Sequence, residues 1–88
     1  MNAKKNEEVR NAVIEHLAAR RGIVQTSDTI LRKLKVENPD FNAADIQAAL
    51  LFLKDTGFVV SEVEELGSTL YYRATAKGIS YIERKYGI

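Results

Sequence analysis

Residues 42–60 read NAADIQAALLFLKDTGFVV. Asn42 is a strong helix N-cap, and Asp45 stands three residues on, close to a capping-box arrangement. Ile46, Ala49, Leu50 and Leu53 then recur at i, i+3, i+4 and i+7, the spacing of one buried helical face. Gly57 is placed to take the left-handed conformation that ends a helix. Phe58, Val59 and Val60 follow at once and favour a strand. A capped helix therefore stops on a glycine and passes directly into β-structure.

Upstream, apolar periodicity predicts a first helix over about Asn6 to Arg21, through Val9, Val13 and Leu17, with Ala12 and Ile14 widening the stripe. Glu7 and Glu8 would then lie in its first turn and Arg20 and Arg21 in its last, as the helix dipole prefers. Gly22 closes it, and Ile23 to Gln25 read as a short strand. Thr26 to Asp28 offer caps for a second helix carrying Ile30, Leu31 and Leu34. Asn38, Pro39 and Asp40 make a turn. Phe41 precedes the Asn42 cap as a hydrophobic staple. Downstream, two strands, Phe58 to Glu64 and Thr69 to Ala74, flank a turn at Glu65-Leu66-Gly67-Ser68. A last helix runs from Thr75 to Tyr86 on Ile79, Ile82 and Tyr86. Gly78 inside it costs about 1 kcal/mol against alanine unless close packing requires it.

Eighty-eight residues make one domain spanning 1–88, with 45% apolar and 28% charged residues, the balance of a soluble globular protein. There is no cysteine, so disulfides, thiolate metal sites and a cysteine nucleophile are excluded. No apolar run reaches bilayer length, and the polar stretch Asn2 to Glu8 is no signal peptide, so a cytoplasmic location without membrane association is expected. The net charge is only +1, low for a strong non-specific nucleic-acid binder.

The order helix, short strand, helix, helix, strand, strand, helix resembles the winged helix-turn-helix superfamily. The likeness rests on Asn42 through Val59 and on Tyr72-Arg73-Ala74-Thr75-Ala76-Lys77-Gly78 with Ile79 and Ile82. The second segment is similar to the Thr-x-x-Gly signature by which many bacterial and archaeal regulators leave the wing for a C-terminal helix. The connection Val36 to Phe41 departs from the family in being long for a compact helix-turn-helix. The resemblance implies an α+β fold: a three-helix core, a two- to three-stranded β-wing and a C-terminal helix. It also implies double-stranded DNA as partner, with the third helix in the major groove and the wing on phosphate or the minor groove.

Stepping about 100° per residue from Ile46 turns Ala44, Gln47, Ala48, Leu51 and Asp55 outward, with Phe52 on the flank. Of these, Gln47 is equipped to bond an adenine, Ala44 and Ala48 to touch thymine methyls, and Asp55 to repel phosphate. Lys54 is a candidate phosphate contact. So are Arg32, Lys33 and Lys35, because in this family the second helix crosses the DNA backbone. Arg73 and Lys77 are the cations available to a wing that otherwise carries Glu62, Glu64 and Glu65. Leu51 and Phe52 have two readings: they pack beneath the first helix, or with Ala44 and Ala48 they form an apolar patch for a protein partner. Tyr81, Ile82 and Tyr86 are candidate homodimer residues.

His16 is the single histidine and reads as a boundary residue. Glu64 and Glu65, as strand neighbours, point to opposite faces and make no acid–base pair. With no metal-ligand spacing, phosphate loop or nucleophile motif, no enzyme, metal or cofactor is expected. The sequence thus supports a small dimeric winged-helix transcriptional regulator, with a protein-interaction module as the alternative.

Overall fold

The structure, a computed structural model, describes residues 3–87, so Asn2 of the polar N-terminal stretch lies outside the described residues. Its elements are α1 (Ala3–Ala19), α2 (Ser27–Lys35), α3 (Ala43–Asp55), β1 (Val59–Val63), β2 (Leu70–Ala74) and α4 (Ala76–Tyr86).

α1 buries Val9, Val13, Ile14 and Leu17 of the predicted stripe, with Ala12 partly buried beside them, and it also buries Ala18, which the periodicity does not single out. Its ends differ from the expectation. It begins at Ala3, where Lys5 reaches Asp45 at 3.2 Å and the Asp40 carbonyl at 3.1 Å, tying the first turns to the start of α3. It ends at Ala19, before a turn in which Arg21 and Gly22 take φ of 45° and 89°. Glu7 and Glu8 are therefore beyond the first turn, and Arg20 and Arg21 are outside the helix. The dipole reading fails for the two glutamates, whereas Arg20, just past the helix end, donates to the His16 carbonyl of the last turn at 3.1 Å.

α2 is capped by Thr26, whose hydroxyl accepts from the Thr29 N–H at 3.2 Å. Residues 36–42 then make the long connection, in which the Asn38 side chain donates to the Leu34 carbonyl at 3.0 Å. Phe41 turns into the core. At α3 the capping box is complete: Asn42 Oδ1 accepts from the Asp45 N–H at 2.9 Å, and Asp45 Oδ2 accepts from the Asn42 N–H at 3.0 Å. The Asn42 bond is the main reason the Asp45 carboxyl is held below its ordinary pKa, with Lys5 adding to it against some desolvation. At the other end Phe58 N–H returns to the Leu53 carbonyl at 2.9 Å and Gly57 N–H to the Lys54 carbonyl at 3.1 Å. With Gly57 at φ 85°, these two bonds are a Schellman stop.

β1 and β2 pair antiparallel in the register Val59↔Ala74 to Val63↔Leu70, each somewhat shorter than the periodicity predicts. The expected strand Ile23–Gln25 reduces to one bridge, in which Gln25 and Tyr72 exchange backbone bonds of 2.9 and 2.8 Å. Ile23 and Val24 remain exposed outside the sheet. Glu64 and Glu65 lie beyond the end of β1, so the argument from strand alternation does not apply to them.

Thr75 caps α4 through the Gly78 N–H. Gly78 is buried, and a Cβ there would stand 2.3 Å from the Phe58 carbonyl oxygen and 3.0 Å from Ile14 Cδ1. The glycine is what lets α4 approach the Phe58 backbone, just before β1, and α1, so close packing does require it. One core results, formed by α1 against α3, with Ile30, Phe41, Val59, Tyr72 and Ala74 completing it.

Candidate nucleic-acid interface

The capping box and the Schellman stop hold α3 at both ends, and its inner face is anchored by Ile46, Ala49, Leu50 and Leu53, each at most 3% exposed. The opposite face is bare. Ala44, Gln47, Ala48, Leu51 and Asp55 are all exposed, as facing from Ile46 predicts. Gln47 does not wave freely: its Nε2 donates to Ser27 Oγ at the start of α2, at 3.0 Å. Beside it Ala48, Leu51 and Lys54 form one wall of an open cleft of about 380 Å³, and Leu70 and Tyr72 of β2 form the other.

Leu51 and Phe52 diverge. Leu51 is 62% exposed and meets solvent at the cleft. Phe52, 44% exposed, lies under Arg10 of α1, whose guanidinium carbon stands 4.1 Å from the ring centroid. The first helix thus covers part of Phe52 and leaves Leu51 open.

The cations are dispersed. Arg32 and Lys35 are exposed on α2. Lys33 lines a separate cleft of about 520 Å³ between α1 and α2, with Glu15, His16, Arg20 and Glu37. Arg73 Nε donates to Glu62 Oε1 at 2.7 Å across the wing, so these two charges compensate each other. Lys77 donates to the Thr56 carbonyl at 2.7 Å and stands 4.7 Å from the Phe58 ring centroid, bracing the α3–β1 junction. Arg73 and Lys77 therefore have structural partners within the chain. Glu64 and Glu65 remain exposed at the wing tip.

The residues of α4 are also engaged internally. Tyr81 stacks at a tilt on Phe58, with centroids 5.2 Å apart. Ile82 packs against the core. Tyr86, 53% exposed, donates its hydroxyl to Glu15, and that hydrogen bond is the main reason the phenol pKa is raised. Arg21 pairs with Glu83 at 3.1 Å.

His16 is half-buried, with Nε2 2.6 Å from Gln25 Oε1. Burial lowers its pKa; the nearby Arg20 and Lys33 charges push the same way, and the bond to Gln25 opposes them. Among the described residues no group of three or more His, Asp or Glu is placed to hold a metal.

Sequence reasoning did not find Ser27, Leu70 or Tyr72 at this site. Ser27 stood among the cap candidates of α2, but its bond to a side chain twenty positions on has no signal in spacing. The β2 wall depends on how the wing folds back beside α3.

Four helices and a two-stranded antiparallel sheet in this order form a winged helix-turn-helix. Solved structures carry the same arrangement. A transcriptional regulator from Clostridium thermocellum matches with a TM-score of 0.74 at 18% identity, over 99% of this chain and 85% of that one. A ZitR mutant from Lactococcus lactis matches with a TM-score of 0.73 at 18% identity, over 91% of this chain and 50% of its own. The GAS protein PerR-Zn-Zn matches with a TM-score of 0.70 at 28% identity, over 76% and 42%. The chain thus spans about half the length of ZitR and less of PerR. No family model and no curated protein matches it.

Proposed function

We propose that this chain binds double-stranded DNA as a transcriptional regulator, with α3 in the major groove and a second copy of the chain supplying the other half-site. The observation that carries the reading is the bare outer face of α3, a helix held at both ends and along its inner side, which presents Gln47 with Lys54 at the C-terminal end. Arg32 and Lys35 on α2 are the phosphate contacts, and Lys33 is a weaker candidate because it lines the cleft toward α1. Ala44 and Ala48 border Gln47, and Arg73 and Lys77 contribute from the wing side. The similar solved structures include a transcriptional regulator, which supports the same reading. No helix among the described residues is long and apolar enough to cross a membrane.

The test is duplex binding across a salt series. Specific binding is expected to weaken steeply as salt rises. Lys35→Ala should weaken all sequences alike, and Gln47→Ala should relax base preference. Absence of binding at the lowest salt overturns the reading. Tyr86, half exposed on α4, is the dimer candidate least engaged by the core, and sedimentation of Tyr86→Lys tests it.

The exposure of Leu51 favours a second reading, in which Ala44, Ala48, Leu51 and Phe52 dock a protein partner. Replacing Leu51 and Phe52 by Gln should then abolish association in sedimentation with little change in thermal midpoint. Unchanged association would set this reading aside.

A further inference from the structure

The outer face of α3 has a chemistry more specific than the fold requires. Ala44 stands i+3 and i+4 from Gln47 and Ala48, and these stand i+4 and i+3 from Leu51, so the four form one continuous patch with a single amide among apolar side chains. None of these four is Arg or Lys, the residues that pair with the O6 and N7 acceptors of guanine, and the nearest cation, Lys54, stands one turn on at the C-terminal end. A glutamine amide has two N–H donors and a carbonyl acceptor. The Ser27 hydroxyl takes one donor at 3.0 Å, which leaves one N–H and the oxygen, the pair that matches adenine N7 and N6. Holding the amide in advance also lowers the entropy lost when it docks. Next to it the cleft between Ala48, Leu51, Leu70 and Tyr72 offers apolar walls, with the Lys54 ammonium among its lining groups. An apolar recess beside an amide and a cation matches a groove edge that shows methyl groups next to phosphate.

We propose that this patch reads A·T base pairs, with Gln47 on the adenine edge, Ala48 and Leu51 against thymine C5-methyl groups, and Lys54 on a flanking phosphate. Ser27 is a positioning residue that presents the Gln47 amide. The proposal rests on the DNA-binding reading above and specifies what that reading leaves open.

The experiment selects sites for the full chain from randomised duplexes at low salt, then replaces each thymine in a selected site by deoxyuridine, which removes only the methyl. A·T pairs should be enriched, and each contacted thymine should lose about three- to fivefold in affinity on demethylation. Leu51→Ala should abolish that sensitivity at the thymine Leu51 contacts and leave it at the one Ala48 contacts, without moving the thermal midpoint, since the side chain is largely exposed. Ser27→Ala should cut the discrimination against G·C at the adenine position severalfold and leave the salt slope unchanged. Equal affinity for thymine and uracil sites, or selection of G·C sites, overturns the proposal while the DNA-binding reading stands. Failure to bind any duplex at low salt overturns both.

Discussion

α3 and α4 are both capped helices with more apolar residues than their inner faces use, and they differ in what the surplus meets. On α4, Tyr81 lies on Phe58, Ile82 enters the core margin and Tyr86 bonds to Glu15, so the surplus closes the helix onto α1 and the α3–β1 junction. On α3, among the described residues, Phe52 meets Arg10 and Leu51 meets solvent. Apolar residues at helical spacing are therefore structural on one helix and left open to solvent on the other. Inspection of either sequence segment alone does not separate the two cases, because both faces are written with the same residue types.

The sharpest way to break the contrast is within α3 itself. Leu50→Ala should cost about 2–5 kcal/mol, a large part of the stability of a small domain. Leu51→Ala, one position on, should stay within about 0.5 kcal/mol. Equal losses in urea denaturation would show that Leu51 is buried in solution.

The corresponding test of α4 is Gly78→Ala. The added methyl meets the Phe58 carbonyl, which is backbone and cannot rotate away. A loss of about 1–3 kcal/mol is expected, which lowers the thermal midpoint by roughly 4–8 °C for each kcal/mol. An unchanged or raised midpoint, as helix propensity alone would give, would mean that α4 does not lie this close to the Phe58 backbone.

A smaller effect separates the cap from the face it holds. Asn42→Ala removes an acceptor for the Asp45 N–H and should cost about 1 kcal/mol. It should also weaken any ligand of the outer face by loosening the start of α3. A stability loss with unaltered binding would show that the patch does not depend on how the helix begins.

The smallest effect is a pH dependence that reports the α1 side of the molecule and should leave α3 alone. The folded-state pKa of His16 is below 6.5, so the unfolded chain binds the proton more readily. Stability should be complete at pH above 6.5 and fall as pH drops through that value toward the folded pKa. His16→Gln should flatten the stability profile between about pH 7.5 and 5.5. A profile unchanged by that substitution would assign the dependence to other groups.

Much of this was legible in the chain. Asn42, Asp45, Gly57 and the Ile46-Ala49-Leu50-Leu53 stripe set the limits and the buried side of α3, because caps, stops and periodicity act within a few residues. Thr75 and the valines of β1 set the following elements by the same local rules. The ends of α1 were not legible, since its start depends on Lys5 meeting Asp40 and Asp45 from another part of the chain. The strand at Ile23–Gln25 failed for the converse reason: β-branched residues favour a strand, but only Gln25 finds a backbone partner.

At the candidate site, the sequence by itself determined which residues face outward from α3 and that Gln47 is the one amide among them. Tertiary structure alone decided that Ser27 holds that amide, that Arg10 covers Phe52 and not Leu51, and that Leu70 and Tyr72 wall the cleft. It also decided that Arg73 and Lys77 are engaged by Glu62 and Thr56. The physical reason is range. Propensity, capping and periodicity are written in neighbouring residues, whereas the hydrogen-bond partner and cover of an exposed side chain come from whichever segment the core packing brings beside it.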